Sequence, residues 1–151
     1  MTPGRRTLNF TSLDEIMPEV ERLQKGCTTV GAWSLGQICQ HLATVARRVV
    51  DHPAVATPDT SLWVSPEQKA SVFRSRQIPE GLPAPSEVLP GAEVDTPHAV
   101  ESLRSAIAHF QASDGPKIPH RFFGYLTRDE WVQLQCIHCA HHLSFLIPDE
   151  T

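Results

Sequence analysis

Residues 127–146 read TRDEWVQLQCIHCAHHLSFL, and this stretch decides the fold class of the chain. Thr127 and Glu130 form a capping box, in which each side chain bonds the backbone amide of the other residue at a helix start. Pro148 closes the segment, because proline has no N–H with which to continue a helix. The stretch therefore predicts a helix from Thr127 to about Leu146.

Three earlier segments also have helical patterns. In the second of them, apolar residues recur at positions 35, 38, 42, 45, 46 and 49, which is the spacing of one helix face. Pro18 is expected to shorten or bend the first segment, whereas Thr96 and Pro97 suit an N-cap and a first helical residue in the third. The three predicted helices are Ser12 to about Lys25, Ser34 to about Asp51, and about Pro97 to Ala112.

A long crossover, residues 53–95, separates the second and third predicted helices and contains most of the prolines. A short helix is predicted at Pro66–Arg76 after the cap Ser65, and the proline-rich piece 78–85 is expected to be irregular. So long a connection is unusual in a compact bundle, which suggests a binding loop or a cover over the core. We predict an all-α fold, a four-helix bundle with this crossover, in a single domain of residues 1–151.

Composition narrows the classes of function. The chain has 151 residues and a formal charge of −4, without a basic patch, so nucleic acid is not an expected partner. It lacks the run of about 20 apolar residues that a transmembrane helix needs, and no apolar signal core follows its N-terminus. We therefore expect a cytoplasmic protein that does not bind membranes. Arg5–Arg6 and Arg47–Arg48 are interpreted as solvated faces or helix ends.

The last predicted helix carries two kinds of metal-binding side chain. One stripe, expected to face the bundle axis, contains histidines, and a second apolar stripe contains Cys136 and Cys139 with Val132 and Leu143. The Cys-x-x-Cys spacing falls inside the helix rather than at its start, and in a reducing compartment such cysteines are usually free thiols. The cysteines are therefore not expected to share a metal or a redox role. The first stripe comprises Trp131, Leu134, His138, His141 and Phe145.

His138 and His142 lie one helical turn apart on one face, so both imidazoles can reach a single ion at about 2.0–2.1 Å. His41 of the second helix lies on the shoulder of an apolar stripe and is the best candidate for a third ligand. The alternative is that the clustered histidines only fill the core with their hydrogen bonds satisfied. We favour metal binding, because each imidazole buried without a partner costs about 1–3 kcal/mol.

The remaining polar candidates are weaker. His141 and His120 are candidates for a second shell or for substrate contact, and Arg48 for binding an anionic substrate group. A loop hydrogen bond for His120 and a surface position for Arg48 are at least equally compatible with the sequence. We interpret His98 and His109 as surface residues, and His52 as the end of the second helix.

Three neutral imidazoles around one ion leave positions open for water or for a small-molecule substrate, which is the catalytic pattern. Imidazole suits zinc, nickel, copper or iron. Among these, we expect one divalent ion, zinc or nickel first. Such an ion can lower the pKa of a bound water or thiol.

Three stretches resemble the DinB/YfiT-like metalloprotein superfamily, and specifically a bacterial branch known as a domain of unknown function. They are LNFTSLDEI (8–16), GAWSLGQICQHLA (31–43), and HRFFGYLTRDEW (120–131) running on into HCAHHL (138–143). In that superfamily, one histidine of the second helix and an i, i+4 pair on the last helix hold a divalent ion. Those positions match His41, His138 and His142. The branch commonly has His-Pro where this chain has His120-Arg121.

The resemblance also implies a four-helix bundle with a long crossover, and often a homodimer. Some superfamily members transfer thiols or isomerise thiol-linked substrates, and others have no known activity. Two hypotheses follow for this chain. The first is a metal-dependent hydrolase or low-molecular-weight-thiol transferase. The second is a non-catalytic metal-binding or stress-response protein, whose melting depends on metal although nothing is turned over.

Overall fold

The structure, a computed structural model, describes residues 2–82 and 84–149. This part of the chain is mostly helical, as predicted, and contains five α-helices and one two-stranded sheet. None of the described helices is long and apolar enough to cross a bilayer. The helices are α1 (Ile16–Gln24), α2 (Leu35–Asp51), α3 (Pro66–Ser75), α4 (Thr96–Ala112) and α5 (Arg128–Leu143), and the strands are β1 (Cys27–Thr29) and β2 (Leu146–Pro148).

The start of α2 is fixed by a capping box. Ser34 accepts the backbone N–H of Gln37, and the Gln37 side chain accepts the N–H of Ser34. The helix ends at Asp51, where extended backbone at His52 precedes Pro53. Both ends agree with the prediction, and His41 is buried on the same helix as Ile38 and Leu42.

The first predicted helix divides into two pieces. Ser12 caps a short 3₁₀ turn, Leu13–Glu15, and α1 follows it directly. Pro18 is the third residue of α1, where a backbone N–H has no partner within the helix, so it does not interrupt the helix. Glu15 accepts the backbone N–H groups of Thr11 and Ser12, which lowers its pKa and holds the turn.

The predicted start of the third helix is wrong by one residue. Thr96 is already helical, and the cap is Asp95, whose carboxylate accepts the N–H of His98 at 3.0 Å. A carboxylate competes well with a hydroxyl for this position, since it also interacts with the helix dipole. Helix α4 packs along α2 closely enough that a Cβ at Gly36 would lie 2.8 Å from the Thr96 hydroxyl.

The two strands were not predicted. Helix α5 ends at Leu143 rather than Leu146, and Leu146–Pro148 pairs antiparallel with Cys27–Thr29. Hydrogen bonds from Val30 to Phe145 and from Asp149 to Gly26, each 2.9 Å, extend the pairing on both sides. Residues 146–148 form strand pairs rather than a further turn of α5, because the partner strand β1 lies beside them.

The apolar core lies between α1, α2, α4 and α5, and α3 has no buried residue. Each apolar stripe of α5 has buried residues, Trp131 and Leu134 on the first and Cys136, Cys139 and Leu143 on the second. The crossover contains the predicted helix after Ser65 and a 3₁₀ turn, Ser86–Val88, whose Val88 is buried against α2. The predicted irregular piece 78–85 has no helix before Ser86, and its Pro83 lies outside the described residues.

Candidate metal centre

Three histidines from two helices meet at one point. The Nε2 atom of His138 lies 3.3 Å from Nε2 of His41 and 3.1 Å from Nε2 of His142. All the potential ligand atoms of the group lie within 4.8 Å of one another. Across residues 2–82 and 84–149, no other group of three or more histidine, cysteine or acidic side chains comes together in this way.

These separations suit a common ion. Two nitrogens about 2.0–2.1 Å from a metal are about 3.3 Å apart at a tetrahedral angle and about 3.0 Å apart at a right angle. The measured 3.3 and 3.1 Å fall in this interval. The third pair is also within 4.8 Å, so small ring rotations suffice to place all three nitrogens around one ion.

A backbone carbonyl determines which nitrogen His41 presents. Nδ1 of His41 lies 2.7 Å from the carbonyl oxygen of Val88, which can only accept, so Nδ1 carries the hydrogen. Nε2 of His41 is therefore an unprotonated lone pair that faces His138. Metal-binding histidines usually have such a partner for their second nitrogen. Here the partner comes from the crossover, which thereby orients a ligand of α2.

Hydrogen bonds alone do not satisfy this group. His138 Nε2 has either one hydrogen or one lone pair, yet it faces two other ring nitrogens. If His138 Nε2 carries a hydrogen and donates it to His41, the same hydrogen can reach His142 only through a weak bifurcated bond. If His138 Nε2 is unprotonated and accepts a hydrogen bond from His142, its lone pair faces the lone pair of His41 Nε2 at 3.3 Å. A cation among the three nitrogens removes this conflict, which argues against a role confined to filling the core.

All three imidazoles are held neutral. Burial lowers the pKa of His138 to about 3, and the neighbouring imidazoles add to this effect. Burial also lowers the pKa of His142, strongly, and that of His41. Because a metal binds the deprotonated ring, protons do not compete for these nitrogens near pH 7. His41 is only 3% exposed, deeper than the cleft edge predicted for it.

Trp33 forms one wall of the site and was missed in the sequence. Its ring stacks on His142 with centroids 5.3 Å apart and an interplanar angle of 16°, and it tilts against His41 at 5.0 Å. The sequence signal that could have revealed this role is the position of Trp33, directly before the N-cap Ser34, which places its ring at the N-terminus of α2. The ring limits how far His142 can rotate away from His41.

His141 lies beside the group but does not join it. Its ring packs edge-on against His142 with centroids 5.0 Å apart, and its Nδ1 accepts a hydrogen bond of 2.9 Å from the Arg5 guanidinium. Burial, together with the Arg5 charge, lowers the pKa of His141 to about 4. Its neutral ring therefore carries its hydrogen on Nε2.

The interpretation of Arg5–Arg6 as solvated residues is wrong. The Arg6 guanidinium donates to the carbonyl oxygens of Leu143 and Leu146, at 3.2 and 2.7 Å, and pairs with Glu19. These bonds satisfy acceptors at the C-terminus of α5, where cations are favoured. The two arginines thus attach the N-terminal segment to the helix that carries His138 and His142.

His120 belongs to a different neighbourhood. Its Nδ1 accepts the backbone N–H groups of Phe122 and Phe123, at 3.0 and 3.3 Å, and its ring stacks on Phe123. It borders a surface groove of about 400 Å³ between the crossover and residues 118–121. Burial lowers its pKa to about 4. The structure places it in the loop-stabilising position that was the alternative interpretation.

The other candidates lie on the surface. Arg48 is exposed, and its guanidinium makes no hydrogen bond or ion pair with any described residue. His98 and His109 are exposed, as predicted, and His109 pairs with Asp51 at 2.6 Å. His52 is the C-cap of α2.

The cysteines stay apart from the histidines. Cys39, Cys136 and Cys139 are buried free thiols, and Cys27 is partly buried. Burial raises the pKa of Cys39 to about 12 and that of Cys136 to about 11, and it raises the pKa of Cys139 further. Thiols so hard to deprotonate are poor nucleophiles, and the cysteines do not gather with further metal-binding side chains among the described residues.

A comparison with known families finds one match. The family model described as "Protein of unknown function (DUF1569)" matches residues 3–149, which is nearly the whole chain. No curated protein and no solved structure matches the chain.

Proposed function

The chain belongs to the DUF1569 family, and we propose that it binds one divalent metal ion through the Nε2 atoms of His41, His138 and His142. The observation that carries this proposal is the convergence of three neutral ring nitrogens, two of the spacings being 3.1 and 3.3 Å. The bond from His41 to the Val88 carbonyl supports it, because that bond leaves a lone pair facing the group. Zinc and nickel suit an all-imidazole donor set.

We further propose that the site is catalytic and acts on a small molecule. Three protein ligands leave at least one position open, and a bound divalent ion lowers the pKa of a water or thiol placed there. His138 and His142 are less buried than His41, which favours the approach of a ligand from their side. These features support a hydrolase or a low-molecular-weight-thiol transferase.

The finer structural expectations belong to the same proposal. We infer that α1, α2, α4 and α5 form a DinB-like four-helix bundle, and that the protein works as a homodimer in the cytoplasm. Support comes from the three stretches that resemble that superfamily and from the placement of the three histidines on α2 and α5. Size-exclusion chromatography with light scattering tests the dimer.

The second candidate is a non-catalytic metal-binding or stress-response protein. One observation favours it: His41 is almost fully buried beneath Trp33, and the groove of about 400 Å³ is lined by His120 rather than by the three histidines. In that case the ion stabilises the fold without turning over a substrate. Melting would then rise with metal while a substrate screen stays negative.

Elemental analysis of the purified protein tests the proposal. We expect one zinc or nickel ion per chain after loading and desalting, and a melting temperature that rises with metal. The matched control is His98→Ala, which removes an exposed histidine and should retain the full metal content. A wild-type protein that retains no metal, with a melting temperature indifferent to added Zn²⁺ and Ni²⁺, would refute metal binding. A screen of thiol-transfer and hydrolysis substrates then separates the enzyme from the second candidate.

A further inference from the structure

The Arg5 side chain reaches both sides of the candidate centre. Toward α5, Nε donates to the Ser144 hydroxyl at 2.8 Å, and one terminal nitrogen lies 2.9 Å from His141 Nδ1 and 3.3 Å from the His141 carbonyl. The guanidinium also lies over the Phe145 ring, 4.3 Å from its centroid. Arg5 therefore fixes the last turn of α5, next to His142.

Toward the crossover, the other terminal nitrogen of Arg5 donates to Glu80 at 2.9 Å. The same carboxylate accepts the Thr2 hydroxyl at 2.6 Å and the Thr2 backbone N–H at 3.2 Å. These three donors, the Thr2 hydroxyl first, lower the pKa of Glu80 to about 2, so it stays ionised. The crossover is thereby attached to the N-terminal segment at Glu80.

The attachment at Glu80 bears on His41 through Val88. Val88, further along the same crossover, supplies the carbonyl that holds His41 Nδ1. Beyond Val88, the crossover is fixed to α2, because Gly91 donates to Gln40 at 2.7 Å and accepts from Gln37 at 3.0 Å. The segment that orients His41 thus has an anchor on each side, and Glu80 is the anchor on the N-terminal side.

We propose that Arg5 is a positioning residue of the metal centre, which fastens the crossover beside His41 to the end of α5 beside His142. This inference rests on the metal-binding function proposed above. The role requires the planar guanidinium, because Nε and the two terminal nitrogens bond in three directions at once, to Ser144, Glu80 and His141. A lysine ammonium at the end of a flexible chain cannot reproduce this fork.

Lower side-chain exposure distinguishes this pair from a pair that is open to solvent on both sides, since Arg5 is partly buried although Glu80 is an exposed residue. The Arg5 and Glu80 side chains are 14% and 28% exposed, whereas those of Arg104 and Glu21, which are paired at 3.1 Å on the surface, are 43% and 53% exposed. Exposed pairs contribute little because water and salt screen them. The Arg104–Glu21 pair is therefore a matched control, in which a similar bond is removed between α4 and α1, two helices that carry none of the three histidines.

The test is the Zn²⁺ affinity of full-length variants, measured by competition with a chromophoric chelator. We expect Arg5→Gln to weaken Zn²⁺ binding about tenfold, the lower end of the usual effect of partners behind metal ligands. Glu80→Gln should weaken it less, and the double variant should resemble Arg5→Gln alone, because both changes break the same connection. Arg104→Gln should leave the affinity unchanged.

A second readout separates positioning from general stability. The ¹⁵N shifts of His141 in the metal-free protein should show an unprotonated Nδ1 in the wild type and a mixture of tautomers in Arg5→Gln. If Arg5→Gln does not fold, the Zn²⁺ affinity of Glu80→Gln carries the test. A wild type that binds no Zn²⁺ would overturn the metal-binding function together with this inference. Normal Zn²⁺ binding in Arg5→Gln and Glu80→Gln would overturn this inference alone.

Discussion

Helix α5 presents two sets of metal-binding side chains that burial affects in opposite ways. His138 and His142 are partly buried and meet a third imidazole, His41 of α2. Cys136 and Cys139 are buried among apolar side chains, with exposed fractions of 1% and 3%. Both pairs have spacings that bind metals in other proteins, yet only the histidines converge with a further donor.

The difference shows that donor spacing is not sufficient for a metal site. Burial affects the two kinds of side chain in opposite ways, since it disfavours the charged form of each. It keeps imidazole neutral with a free lone pair, which is the binding form, whereas it keeps the thiol protonated, which is not. The same apolar environment therefore prepares the histidines for a cation and makes the cysteines inert.

The largest expected effect is on metal binding. His138→Ala and His142→Ala should each weaken Zn²⁺ or Ni²⁺ binding at least about a hundredfold, because removing a ligand exceeds the effect of removing its partner. Cys136→Ala and Cys139→Ala are the matched changes on the other side of α5 and should leave affinity within about twofold. Chelator competition measures all four. Equal losses from the cysteine variants would abolish the distinction between the two sets.

A smaller effect is expected on the free energy of unfolding when a buried cysteine is replaced. Cys139→Ser places a hydroxyl among apolar neighbours, and an unsatisfied polar group of this kind costs about 1–3 kcal/mol of unfolding free energy. The same change at the partly buried Cys27 should cost less than about 1 kcal/mol. Urea denaturation of the metal-free variants measures both. If Cys139→Ser were neutral while Cys27→Ser were costly, the assignment of the apolar side would be wrong.

The third effect is the pH dependence of the metal-free protein. The pKa values of His120 and His141 fall to about 4 in the folded state from 6.5, so between these values the unfolded chain binds more protons. Stability should therefore fall with acidification: these two histidines contribute on the order of 1 kcal/mol from pH 7 to 6, and the lowered pKa values of His41, His138 and His142 add to the loss.

The cysteines should respond at the other end of the scale. Folding raises the pKa of Cys136 from 9.0 to about 11, so above pH 9 the unfolded chain loses its proton first and stability falls. Thermal melts in metal-free buffer from pH 5 to 10 measure the loss of stability at both the acidic and the alkaline end. His141→Gln should reduce, but not abolish, only the loss at acidic pH and Cys136→Ala only the loss at alkaline pH, because other histidines and cysteines contribute to each. A profile without loss at either end would contradict these assignments.

Much of the site could be predicted because it depends on local patterns. The caps at Thr127 and Ser34 mark where the two helices begin, the i, i+4 spacing sets His138 and His142 on one face, and the apolar periodicity of α2 places His41 beside its buried stripe. The sequence predicted these histidines as a group, and the structure brings them together. Their role as ligands stays a prediction.

The features that were missed depend on distant parts of the chain. The sheet needs Leu146–Pro148 to lie beside Cys27–Thr29, and no local pattern specifies that pairing. The same holds for the Val88 carbonyl at His41 and for the bonds of Arg5, because the crossover and the N-terminal segment have no helical period. Tertiary contact, rather than propensity, decides those positions.

X-ray absorption spectroscopy of the zinc-loaded protein tests most directly whether nitrogens of α2 and α5 share one ion. We expect three imidazole nitrogens and at least one further light atom at about 2.0–2.1 Å, with no sulfur. The imidazole count should fall to two in His41→Ala if any zinc is retained. A sulfur shell at about 2.3 Å, or fewer than three imidazoles in the wild type, would contradict the account.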